Sequence, residues 1–145
     1  MLIFVGADHA GFELKEKLKK YLASKGENIV DVGAFEIDEK DDFSKYANLL
    51  ADCFEKNKNA RLIACCGSGV GMSIALNKKK HICACVGHGA KEVKLARAHN
   101  NINALCLGGR TTCFLTAKRM TKAFLTTDFL GGKYQKRMKD IEIKN

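Results

Sequence analysis

The sequence predicts an α/β fold: a single-domain, Rossmann-like three-layer sandwich. Five parallel strands would lie between helices on both faces, followed by a C-terminal helix. Three observations predict it. Short apolar runs alternate with segments of helical period. The connections are short, and no repeat, low-complexity stretch or linker interrupts the alternation, so one domain over residues 1–145 is expected. Finally, 145 residues that are 46% apolar and 28% charged can bury a core without staples.

The elements follow in order. Leu2–Gly6, Asn28–Val32, Arg61–Cys65, Ile82–Val86 and Ala104–Leu107 read as strands, several of them almost continuously apolar, as strands buried on both faces should be. Leu14, Leu18, Tyr21 and Leu22 fall at i, i+4, i+7 and i+8, and Gly26 is placed to end that helix. Phe43, Tyr46, Ala47, Leu50 and Phe54 form a second stripe. Ser68–Asn77, Ala90–His99 and Thr112–Leu125 are further helices, and Gly131-Gly132 separates a last one, Lys133–Ile143.

Composition narrows the function classes. No apolar run approaches the ~20 residues of a membrane span. The N-terminus has no basic flank and reaches Asp8 too soon for a signal peptide. Seven cysteines lie mostly in apolar runs, without C-x-x-C or H-x-x-x-H spacing, so no metal site is expected and a reducing, cytoplasmic setting is. Charge is lopsided: residues 1–60 carry 9 basic and 12 acidic side chains, whereas residues 61–145 carry 16 and 4. Such a basic half suits nucleic acid, an acidic membrane or a phosphorylated metabolite, or is simply a solvated surface.

Open parallel sheets bind ligands at the carboxyl ends of their strands, and polar chemistry collects there. The first strand runs into Asp8-His9-Ala10-Gly11, either a ligand-binding acid–imidazole pair or a helix cap beside a surface histidine. The third ends Cys66-Gly67-Ser68-Gly69-Val70-Gly71, whose glycines permit close backbone approach and whose N–H groups can face an anion. This is neither a dinucleotide fingerprint nor a phosphatase loop, because Met72 stands where the latter needs arginine. Cys66 precedes a helix N-terminus, which favours a thiolate able to act as a base, whereas Cys65 should face the opposite side as core. His99-Asn100 ends the fourth helix, where histidine could move a proton or merely cap the helix. Arg110 follows the fifth strand, and Lys133 and Arg137 share a helical face that could clamp phosphate or be solvated.

In this order, Gly6-x-Asp8-His9-Ala10-Gly11, Cys66-Gly67-Ser68-Gly69-Val70-Gly71 with Asn77-Lys78, His99-Asn100, Leu107-Gly108-x-Arg110 and Gly131-Gly132-x-x-x-x-Arg137 resemble a known family. It is the sugar-phosphate isomerase family that holds type B ribose-5-phosphate isomerases and galactose-6-phosphate isomerase subunits. The resemblance implies interconversion of ribose 5-phosphate and ribulose 5-phosphate without metal or organic cofactor, in a homo-oligomer (dimer or tetramer) with sites between subunits. It implies no nucleic-acid or membrane partner. By the same resemblance Cys66 is the base, the Gly67–Gly71 amides with Ser68 hold the oxyanion, and Val70 lies in that loop. His99 with Asp8 opens the sugar ring, Asn100 binds the sugar, and Tyr46 lies near the substrate. His9, Arg110 and Arg137, with Lys133, hold the phosphate.

The chain departs from the family in places. Lys133-Tyr134 stands for a usual Arg-His, Asp42-Phe43-Ser44-Lys45-Tyr46 for Asp-Tyr-Pro-x-Tyr, and Met72 for the Glu base of one branch. Allose or galactose 6-phosphate isomerase is the nearest alternative activity. A non-catalytic sugar-phosphate or nucleic-acid binding module and a thiol redox sensor are the other classes.

Overall fold

The computed structural model describes residues 1–141. Five parallel strands, β1 (Leu2–Ala7), β2 (Asn28–Asp31), β3 (Arg61–Cys66), β4 (Ala84–Val86) and β5 (Ala104–Gly108), form one sheet in the order β2-β1-β3-β5-β4. The helices are α1 (Phe12–Ser24), α2 (Phe43–Lys56), α3 (Val70–Asn77), α4 (Ala90–Asn100), α5 (Phe114–Thr126) and α6 (Lys133–Asp140). The chain turns from β1 outward to β2, then returns to place β3 on the other side of β1. That reversal between β1 and β3 opens a crevice at their carboxyl ends.

Side-chain alternation sends successive strand residues into two separate cores. Phe4, Leu62, Ala64, Cys66 and Cys106 meet Leu50 and Phe54 of α2 and Met72 and Leu76 of α3. Ile3, Val5, Ile63, Cys65 and Leu105 meet Leu14, Leu18 and Leu22 of α1 and Met120 and Phe124 of α5. Each fully buried leucine of this kind is worth about 1.5–3 kcal/mol. Cys65 and Cys66 therefore face opposite layers, as the strand period requires.

The expected strands and helices are all present, with shifted ends. β1, β3 and β5 are buried along their length, but β2 and β4 are edge strands and only half covered. β4 begins at Ala84 rather than Ile82, because the Ile82 N–H closes a turn onto the Lys79 carbonyl after His81 takes a positive φ. The third helix begins at Val70 rather than Ser68, because Gly69 is left-handed with φ 81°. α5 begins at Phe114, since the Thr111 and Thr112 amides are turned onto the Gly108 carbonyl. The last helix ends at Asp140; Ile143, its expected end, lies outside the described residues. Asp42 caps α2 through its carboxylate, which accepts from the Ser44 N–H at 2.8 Å. Such a cap is worth about 1 kcal/mol. Among the described residues no helix is long and apolar enough to cross a membrane.

Candidate functional site

Three loops leave the carboxyl edge of the sheet and pack backbone against backbone. The first follows β1. Asp8 is buried there and its carboxylate accepts from the Gly11 N–H at 3.0 Å, closing a turn before α1. Burial pushes the Asp8 carboxyl above its ordinary range, and the Gly11 amide and neighbouring His9 only partly offset that. A Cβ on Gly11 would stand 2.3 Å from the Cys65 carbonyl carbon, so only glycine lets this loop touch β3.

The second loop carries the thiol. Cys66 ends β3, 4% exposed, and its Sγ accepts from the Gly69 N–H at 3.2 Å. Gly69 needs its positive φ to turn that amide back, and a Cβ there would lie 3.1 Å from the Leu107 backbone. That hydrogen bond to the thiol sets the sulfur beside the first turn of α3. Ser68 is exposed beside it, with Oγ accepting from the Val70 N–H at 3.3 Å. Gly71 packs against the Phe43 ring. By contrast, burial pushes the Cys65 thiol up to about 12 and the Cys106 thiol well above its ordinary value. Neither can serve as a base near neutrality.

The third loop follows β5. The Gly109 N–H donates to the Cys66 carbonyl at 2.7 Å and the Arg110 N–H to the Gly67 carbonyl at 3.0 Å. These bonds bring the Arg110 side chain over Gly67, where its charge also faces His9. Asp8, His9, Cys66, Gly67, Ser68, Gly69, Val70, Gly71 and Arg110 thus share one crevice. Tyr46, on the first turn of α2, is buried at its rim beside Gly33 and Asp41. Burial, then the Asp41 carboxylate, raises its hydroxyl above the ordinary value.

The remaining predicted residues are elsewhere in the chain. α4 runs antiparallel to the strands and ends where β5 begins, so His99 and Asn100 lie at the amino edge of the sheet. Between the starts and ends of β5 there are four residue steps, from Ala104 to Gly108, or about 13 Å. His99 is stacked on Tyr134 of α6, with ring centroids 4.2 Å apart and planes 9° apart. Lys133 Nζ and the Arg137 guanidinium both approach the same Tyr134 ring, at 5.3 and 5.7 Å. Asn100 Nδ2 donates weakly to Met138 Sδ at 3.7 Å. His99, Asn100, Lys133 and Arg137 therefore form a second cluster, which one chain does not bring to Cys66.

Two groups at the carboxyl edge have no signature in the sequence. Asp41 Oδ1 accepts from both the His9 backbone N–H, at 2.9 Å, and its ring Nδ1, at 2.7 Å. Lys15, on α1 and only 1% exposed, binds both carboxylate oxygens of Asp31 at 2.9 Å and also the Ala34 carbonyl. It thereby ties down residues 33–34, whose backbone pairs with Ala7 just before Asp8. The only local sign of Asp41 is its place in an acidic run, Glu36 to Asp42, that otherwise reads as a solvated loop. Among the described residues no group of three or more His, Cys, Asp or Glu side chains is disposed to hold a metal ion.

This arrangement has relatives. The chain is similar to a probable ribose-5-phosphate isomerase B of Mycoplasma pneumoniae, 37% identical over 139 residues that cover 96% of this chain and 91% of the relative. Its fold is similar to the crystal structure of ribose-5-phosphate isomerase B from Mycoplasma genitalium with bound ribulose-5-phosphate. That pair has a TM-score of 0.93 and 37% identity, covering 97% of this chain and 93% of the other. A ribose 5-phosphate isomerase from Thermotoga maritima also superposes with a TM-score of 0.93, at 38% identity over 97% of both chains. A family model described as Ribose/Galactose Isomerase matches residues 3–141, which runs from β1 through α6. The chain belongs to the ribose/galactose isomerase family.

Proposed function

We propose that this chain is an aldose–ketose isomerase that interconverts ribose 5-phosphate and ribulose 5-phosphate, acting as one catalytic domain in the cytoplasm. The observation that carries the reading is Cys66 Sγ, held by the Gly69 N–H at 3.2 Å in a crevice shared with Asp8, His9 and Arg110. The family membership and the ribulose-5-phosphate bound to the Mycoplasma genitalium relative support that choice of substrate. Seven unpaired thiols support the cytoplasmic location.

In the open-chain aldose, the Cys66 thiolate takes the proton from C2. The electron pair of that C–H bond forms the C1–C2 double bond, and charge moves onto O1 of the former aldehyde. Two loop amides are already engaged, Gly69 on the thiol and Val70 on Ser68 Oγ. Oxyanion donation thus falls to the amides of Gly67, Ser68 and Gly71 and to the Ser68 hydroxyl. The thiol returns its proton to C1, while O1 gains a proton and O2 gives one up to become the ketone, so the net change between the two oxygens is one proton passed from O2 to O1. Atoms and charge balance, and no oxidant is consumed. His9 and Arg110 hold the phosphate.

His99 and Asp8 would open the furanose ring and Asn100 would bind the sugar. Because His99, Asn100, Lys133 and Arg137 lie at the other edge of the sheet in one chain, they reach Cys66 only from a second copy. A homo-oligomer with sites between subunits follows from that reading. The test is turnover of ribose 5-phosphate against allose and galactose 6-phosphates by wild type and Cys66→Ala. Activity on the pentose, abolished in the variant while substrate still binds, is expected. Near-normal turnover without the thiol would remove Cys66 from the base role.

A further inference from the structure

Asp41 lies 32 residues from His9 in sequence, in the loop before α2, yet one of its oxygens holds that histidine at two points. Its side chain is only 4% exposed, whereas the His9 side chain keeps 25% exposure. A carboxylate can only accept, so the imidazole must present a proton at Nδ1, which leaves Nε2 as the ring nitrogen able to face a ligand. The backbone contact fixes where the ring starts, and the ring contact fixes its rotation. Asp41 Oδ2 is buried with no hydrogen-bond partner among the described residues. Beside the neighbouring Tyr46 hydroxyl, the carboxylate takes its compensation from the two His9 contacts, and losing them would leave a buried charge poorly matched.

We propose that Asp41 is a positioning residue for phosphate recognition, fixing the His9 ring so that Nε2–H is directed outward to donate to the phosphate of the sugar. The proposal rests on the sugar-phosphate reading of this crevice. It gives the acidic loop a function that neither the motif residues nor the crevice lining assigns to it. The groups that face His9 are Asp41 and Asp8, both of which favour the imidazolium, and Arg110, which opposes it. The balance raises the His9 ring above its ordinary value, chiefly through the Asp41 hydrogen bond, while the same contact holds the Asp41 carboxyl down against burial.

A raised histidine keeps its proton below that raised value and loses it as pH climbs through it, so phosphate affinity should weaken toward alkaline pH. The substrate phosphate takes its second charge near pH ~6, so the effect is read above that pH. Steady-state kinetics of wild type and Asp41→Asn between pH 6.5 and 9 provide the test.

In the variant, KM for ribose 5-phosphate and the inhibition constant of inorganic phosphate should both rise roughly tenfold, the loss of one charge-assisted contact. The alkaline weakening should begin at lower pH. kcat/KM for unphosphorylated ribose should not move. In a His9→Gln background, Asp41→Asn should add nothing further. A fall in kcat with KM unaltered, or an undiminished effect in the His9→Gln background, overturns the proposal. Should Asp41→Asn not fold, the NMR titration of His9 in the unaltered protein decides. A midpoint above the ordinary histidine value with Nδ1 protonated is expected, and one at or below it overturns the proposal. If wild type turns over no ribose 5-phosphate, the isomerase reading fails separately, and inorganic phosphate binding still reports on Asp41.

Discussion

Mixing two disabled variants of this chain tests whether its sites are shared between copies. Cys66→Ala removes the thiol at the carboxyl edge, and His99→Asn removes the imidazole at the amino edge. The edges are separated by about 13 Å along β5, some 10 Å more than a hydrogen bond can span. On the shared-site reading, one chain does not supply both groups to one sugar. Each variant alone should be nearly inactive on cyclic ribose 5-phosphate. In a dimer whose two sites each take Cys66 from one copy and His99 from the other, a mixed pair has one site with both groups and one with neither.

Random pairing makes half the dimers mixed, so a 1:1 mixture should recover about a quarter of wild-type activity. The assay is ribulose 5-phosphate formation after co-expression, or after unfolding and refolding the two variants together, with mass spectrometry confirming mixed pairs. No recovery despite mixed pairs would refute the shared site. Substantial activity in either variant alone would refute the assignment of that residue.

Three other outcomes are expected. Gly69→Ala forces a left-handed φ of 81° on a residue with a Cβ and presses that Cβ to 3.1 Å from Leu107. It should cost about 2 kcal/mol and lower Tm by roughly 6 °C, with activity falling as well; an unchanged melting curve contradicts the role given to this turn. Tyr134→Leu removes the stack on His99 and should slow turnover of the cyclic sugar by about two- to tenfold while sparing an open-chain substrate, with Tyr134→Phe restoring it. Equal losses on both sugars would count against that role. Arg137→Ala should raise KM strongly with little change in kcat, and an unchanged KM removes it from the phosphate clamp.

Lys133 and Tyr134 replace the arginine and histidine usual in the family. Lysine keeps the charge without the bidentate fork, and its Nζ lies over the Tyr134 ring. Tyrosine gives up a second imidazole but keeps a flat face against His99. Aromatic contact at this position is thus retained while its hydrogen-bonding chemistry changes. The substitution of Asp42-Phe43-Ser44 for a proline-bearing stretch is equally well absorbed. Asp42 caps α2 through the Ser44 amide, and the Phe43 ring fills the space against Gly71.

The local pattern of the chain sets the alternation of strands and helices, because periods of two and of about 3.6 residues need no distant contacts to be read. It likewise separated Cys66 from Cys65, since adjacent strand residues must point to opposite faces, and it identified the polar strand ends. Its motifs read as one set, however, and the fold divides them between two edges. The antiparallel course of α4 carries His99 away from Cys66, and only the packing of α6 on α4 joins it to Tyr134 and Arg137.

Asp41 and Lys15 were illegible for a related reason. An acidic loop and a helical lysine are normally solvated, and nothing near them in sequence says otherwise. They acquire their roles only when chain closure buries them against His9 and Asp31, where a charge without a partner would be costly. Local patterning determined which elements form and what chemistry they carry. Tertiary structure decided which charges must meet.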